Sequence, residues 1–408
     1  MGESEPVNVN APAEIEINIE TVKCRVVESL SDVPSQEWDL CLEGTRSPFS
    51  RHSFLYGLEL CECVGETRGW LPRYVIIETE AGQLIACAAA YLKTHSQGEF
   101  IFDWSWADAA HRAGLPYYPK LTVTSPFSPI TGDKLLLHPK VKETPNVKRA
   151  LQKKLIEALR ELTHAEAATG LHLLFVTEEE QRELDQSGFL IRETLQFQWK
   201  NEGYQSFDEF LERFRSKRRN QIKRERRRVL EAGIHVRVYQ GEEIQPEHIL
   251  LMYRYYRYTV EKYYFGNLYL NFSFFEHLFR TQREDLCLLI AERGGQAVGG
   301  SFNLYRDGVL FGRYWGCEPY LDLDALHFEV CAYRGIELCI ERGWHRFEAG
   351  AGGGGHKFGR GFLPHVIYSA HEVYLPGFQR ALTAFLEEER IGLSEQLSQI
   401  ENEVLKAR

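Results

Sequence analysis

Residues 350–362 read Gly-Ala-Gly-Gly-Gly-Gly-His-Lys-Phe-Gly-Arg-Gly-Phe. Glycines let backbone N–H groups come close to a bound group. Gly352, Gly353, Gly354, Gly355 and Gly361 supply such a loop around one basic pair, His356 and Lys357. A lysine cation and loop N–H groups stabilise an oxyanion, and a neutral imidazole takes up a proton. Glu348, at the end of the preceding strand, and Glu329 are carboxylates that could share the proton work. Together these suit attack of an amine on an activated carbonyl. The segment faintly echoes a phosphate loop, but His356 separates Gly355 from Lys357, and Phe358 stands where Ser or Thr is needed. The plainer reading of the same residues is a linker with solvated side chains.

A second chemical feature is the run Arg213 to Arg228. It holds ten basic residues against Glu225 alone, a charge of +9 in a chain whose formal total is -10. The rest of the chain therefore carries about -19. Such a face attracts phosphate, and guanidinium grips it in a two-pronged way. Arg215, Lys217, Arg218, Arg219 and Arg224 are the expected contacts for tRNA or another phosphorylated substrate. Phe210, Leu211, Phe214, Ile222, Val229 and Leu230 form the expected buried stripe of a helix over 207–231. Two aromatic and polar groups complete the candidates. Tyr314, Trp315 and His327 flank the expected donor cleft. Asp103, Trp104, Tyr118 and Lys120 form a set that suits either an acceptor site or core structure.

These residues need elements to hold them. In the second half, Leu286–Glu292, Ala297–Tyr305 and Val309–Cys317 read as strands joined by turns at Gly294-Gly295 and Asp307-Gly308. A helical pattern follows over Ala325–Arg342, then a short strand at Trp344–Ala349. In the first half, Arg73–Glu78, Leu84–Leu92 and Glu99–Trp104 read as strands. A helix over Asn146–Thr169, a strand at Leu171–Thr177, a helix at Glu178–Gln186 and a strand at Phe189–Trp199 follow. The same order twice predicts two superposable mixed-sheet modules. The expected boundaries are an extended or disordered segment over 1–21, modules over 22–199 and 200–380, and a C-terminal helix over 381–408.

The segments SPFSRHSFLYGLE, EFIFDWSWADA, GLPYYPKL, FRSKRRNQIKRERR, GRYWGC, LHFEVCAY and EAGAGGGGHKFGRGFLP resemble the FemAB-like family of the GNAT superfamily, related to the FemABX aminoacyltransferases. The resemblance runs from about Pro48 to Arg390. It implies a mixed α/β fold of tandem GNAT-like modules. It also implies transfer of an acyl or aminoacyl group to an amine, with aminoacyl-tRNA as donor in a peptidoglycan-type reaction. Lys357 matches the FemABX lysine, and Gly361-Phe362 match the segment after it. His356 departs from the usual Phe.

The GNAT loop for the CoA pyrophosphate is missing. Asp322 and Asp324 stand there instead, so CoA is not the expected donor, although an acyl-CoA enzyme stays open as an alternative. A non-catalytic RNA- or phospho-ligand-binding protein is another. With nine Cys and no C-x-x-C pair, no metal is expected. No apolar run is long enough to span a membrane and no secretory signal is evident, so the expected location is the cytoplasm.

Overall fold

The computed structural model describes residues 17–400 apart from 46, 263–265, 322, 352, 353 and 376. Most of the expected 1–21 segment, the end of the expected 381–408 helix, Asp322, Gly352 and Gly353 lie outside the described residues.

Thirteen strands are described: β1 Lys23–Val27, β2 Trp70–Glu78, β3 Leu84–Lys93, β4 Lys120–Val123, β5 Leu136–Leu137, β6 Gly170–Val176, β7 Leu190–Lys200, β8 Ile234–Gln240, β9 Leu286–Arg293, β10 Gln296–Arg306, β11 Val309–Cys317, β12 Arg346–Glu348 and β13 Leu363–Val373. The turns fall where the glycines put them. Gly294, Gly295, Asp307 and Gly308 all have positive φ, as two-residue hairpins require. Strand β3 is buried throughout, because helices and loops cover both faces, and it reads as an apolar run from Leu84 to Leu92 that ends in the buried Lys93.

The expectation of two separate sheets is corrected. All the described strands form one mixed sheet, ordered β1-β2-β3-β4-β6-β13-β7-β12-β11-β10-β9-β8, with β5 on β3. The last strand of each half crosses over. Strand β13 lies between β6 and β7, and β7 lies between β13 and β12. Exchanging the two halves leaves this order unchanged, so the connectivity has a two-fold symmetry. One core also runs through both halves: Phe49 meets Phe311 edge-on at 5.5 Å, and Phe54 meets Phe274 at 5.2 Å.

The third strand of the first half is also corrected. Residues 99–104 are not a strand; a helix starts at Trp104 and runs to Arg112, and β4 takes the third place. The cause is a set of buried charges. Lys120 donates to Glu99 at 2.8 Å, to Ser96 at 3.0 Å and to Asp103, while Tyr117 donates to Asp103 at 2.6 Å. Satisfying Lys120 turns the chain inward at Glu99 and Asp103 and leaves Phe102 and Trp104 exposed.

The crossover strand β13 meets β6 at a buried histidine pair. His371 faces His172 in register, with their Nδ1 atoms 2.8 Å apart. Burial first, then Lys120, lowers His172 to about 3. Burial and His172 hold His371 far below its ordinary value. Both are therefore neutral in the folded state, whereas in the unfolded chain they titrate near 6.5. Below about 6.5 the unfolded chain binds more protons, so stability falls as pH falls, by up to about 1.4 kcal/mol per pH unit for each imidazole. Denaturant midpoints should drop steeply between pH 7 and pH 5. A flat profile over that interval would show that the pair is not held neutral.

Candidate functional site

Strands β11 and β12 pair in parallel over three positions only, Val309 with Arg346, Leu310 with Phe347 and Phe311 with Glu348. Beyond these they part. β12 ends at Glu348 and the chain turns at Gly350, whose φ is +73°. An added Cβ there would stand 2.9 Å from the Gly312 carbonyl, so the turn requires glycine. Strand β11 bulges instead: Phe302 pairs with Tyr314 and Asn303 with Gly312, leaving Arg313 as the extra residue. The helical segment over this wedge contains a π turn at Glu329–Tyr333, a feature common where helices serve a site. The result is a cavity of about 350 Å³.

Of the residues expected at the site, Tyr314, Trp315, His327, His356 and Lys357 all line this cavity. The short helix Gly354–Phe358 carries His356 and Lys357. Lys357 Nζ donates to the Gly350 carbonyl at 2.8 Å and the Ala351 carbonyl at 3.4 Å. Burial lowers its pKa to about 8, so it remains mostly a cation at neutral pH. The imidazoles behave oppositely. Burial, then His356, Arg360 and Lys357, lower His327 to about 4. Burial, then Lys357 and Arg360, lower His356. The site thus presents a cation beside neutral imidazoles, with the two rings 6.2 Å apart. Gly361 is held close to the basic segment: a Cβ there would meet the Phe210 ring at 2.5 Å.

Glu329 and Glu348 are placed elsewhere. Arg226 donates to both oxygens of Glu329 and to Glu337, so Glu329 faces the basic helix. Glu348 pairs with Arg346 at 3.1 Å and lines a separate cavity with Asp133 and His365. Asp103 and Lys120 sit in the buried network of the first half, Tyr118 donates to or accepts from Ser96 at 2.7 Å, and Trp104 is exposed. None of these four lines the cavity.

The basic segment is two helices, Phe207–Leu211 and Ser216–Glu231. Ser206 caps the first by accepting from the Glu209 N–H at 3.1 Å. The expected stripe is buried except at Leu230, which is exposed. Arg215, Lys217 and Arg224 are exposed, while Arg218 and Arg219 are half-buried. Arg218 donates to Gln221 at 3.0 Å and lies over Gly359. Glu225, the only acid among the ten bases, receives Tyr333 and Arg360. Arg360 also donates to the His356 carbonyl at 2.8 Å and stacks on Phe328. The basic helix is thereby tied to the loop that carries Lys357. Sequence reasoning missed Arg313 and Arg360. A lone acid in a basic run was the available signal for Arg360; nothing in the sequence marks the bulge.

A family model described as peptidoglycan biosynthesis/recognition matches residues 29–405. No curated protein matches. Among solved structures, L-PGS from Bacillus licheniformis is similar at a TM-score of 0.51, with 11% identity over 86% of this chain and 95% of that one. FemX is similar at a TM-score of 0.51, with 12% identity over 85% of this chain and 98% of that one. These likenesses concern the fold alone, a mixed α/β arrangement. No helix among the described residues is long and apolar enough to cross a membrane.

Proposed function

This chain belongs to the FemAB-like family, and from that premise we propose that the cavity between β11 and β12 transfers an acyl or aminoacyl group to an amine. The observation that carries this reading is a lysine cation set beside neutral imidazoles in the wedge between the two strands. The acceptor nitrogen forms a bond to the donor carbonyl carbon. Lys357 stabilises the oxyanion that develops, and His356 takes the amine proton. The oxyanion then collapses, the bond from the carbonyl carbon to the donor oxygen breaks, the amide remains, and the donor oxygen leaves with the proton that His356 took.

Aminoacyl-tRNA is the proposed donor. Its phosphates suit the exposed Arg215, Lys217 and Arg224 with the half-buried Arg218 and Arg219 beside them. The family's description makes a cell-wall peptide amine a fitting acceptor. The test is a titration with charged tRNA, uncharged tRNA and acyl-CoA at several salt concentrations. Charged tRNA should bind, and reversing Arg218 and Arg224 to Glu should weaken binding and reduce the salt slope by about two. Unchanged tRNA affinity in that variant removes the basic helix from the site. Saturable acyl-CoA binding without tRNA binding assigns the donor to CoA.

A further inference from the structure

The described lining of the cavity carries charge of one sign. Arg313, Lys357 and Arg360 border it, and no Asp or Glu among the described residues does. Glu225 stands behind Arg360 and accepts from it at 3.1 and 3.2 Å. The other two cations meet no described carboxylate at ion-pair distance. Lys357 is held by the carbonyls of Gly350 and Ala351, and Arg313 by the Phe127 carbonyl and the Tyr314 hydroxyl. Glu348 feels Arg313 through space but pairs with Arg346 and faces the other cavity. Arg360 is only 5% exposed, and its Nε is buried with no hydrogen-bond partner among the described residues.

A buried donor without a partner is unfavourable, and like charges in a low-dielectric cavity repel. An entering carboxylate relieves the repulsion, whereas an entering ammonium adds to it. The remaining wall is largely aromatic, with Tyr256, Tyr314, Trp315 and Phe328, which suits a short methylene spacer. We propose that the acyl group accepted here ends in a carboxylate, as in a dicarboxylic acid or the side chain of an acidic amino acid. The carboxylate lies against Arg360 and Arg313 while the carbonyl meets Lys357. This rests on the acyl-transfer reading and narrows its substrate class.

Three small amides of matched length test it by calorimetry with the full chain: glutaric acid monoamide, glutaramide and aminopentanamide. They place an anion, a neutral amide and a cation at the same end. The monoamide should bind at least about tenfold more tightly than glutaramide, the ratio expected for one charge-assisted contact, and aminopentanamide should bind weakest. Arg313→Gln, checked for folding by circular dichroism, should remove most of that preference. Equal binding of all three, or tightest binding of the cation, overturns the selectivity and leaves the transfer reading standing. No saturable binding by any of them overturns both.

Discussion

Lys357→Ala should lower turnover by about 100- to 1000-fold, the usual effect of removing one oxyanion donor. The reason is electrostatic. The Lys357 ammonium lines a cavity where burial draws its pKa down to about 8, and in the proposed role its charge acts on a negative charge that exists only in the transition state. Its anchors are two backbone carbonyls, so the loss should leave folding and tRNA binding nearly intact. Lys357→Arg should rescue little, because a planar fork cannot reproduce a compact point charge. The wild-type rate should fall above about pH 8, where the lysine loses its proton, and at acid pH, where His356 gains one. If Lys357 only pinned the glycine turn, Lys357→Arg would restore the rate and the alkaline limb would not follow the lysine. An active preparation in which Lys357→Ala keeps near wild-type turnover would remove it from the chemistry.

Lys120→Met should have the largest effect on stability, about 3–5 kcal/mol, as expected when one partner of a buried ion cluster is removed. Burial alone disfavours the Lys120 cation, but Asp103 and then Glu99 outweigh it and hold the amine above its ordinary value. The two acids respond differently. Burial raises Glu99, whereas the pull of Lys120 on Asp103 exceeds the burial effect and keeps it well below the usual carboxylate range. Removing the amine leaves Asp103 buried at 3% exposure without its ion-pair partner, while Glu99 keeps only Lys93, at 3.6 Å. Differential scanning calorimetry should show a melting midpoint lower by several degrees. Replacing Asp103 by Leu in the same variant should recover part of the loss. A midpoint equal to wild type would mean that the network carries little of the fold.

Local chemistry made much of the architecture legible. Gly294-Gly295 and Asp307-Gly308 announce hairpins, and the backbone there has the positive φ that those residues tolerate. The repeated order also reads from the sequence, except for the third strand of the first half, which is β4 and not residues 99–104. What could not be read is pairing at a distance. Nothing local tells β7 and β13 to exchange places, since that choice is settled by the sheet as a whole. The alternation of Phe100, Phe102 and Trp104 reads as a strand, but its inward positions include Asp103, whose partner Lys120 lies 17 residues on.

The site divides in the same way. His356, Lys357, Tyr314, Trp315 and His327 were recognisable as reactive types beside a strand end and a glycine run, and they meet in one cavity. Glu329 and Glu348 were equally plausible by type. Arg226 and Arg346 engage them instead, because a buried carboxylate is stable only where a cation reaches it. Arg313 enters the site through a one-residue bulge, which depends on how β10 and β11 pair.

The most direct test of the account is the transfer itself. The protein is incubated with a tRNA charged with labelled amino acid and with a panel of amines that includes cell-wall peptides. The products are followed by mass spectrometry. The account predicts that ester-linked label disappears only when both protein and amine are present, that it reappears as an amide on the amine, and that Lys357→Ala abolishes most of this. Binding of charged tRNA with no amide formed on any amine, or amide formation at the same rate in Lys357→Ala, would contradict it.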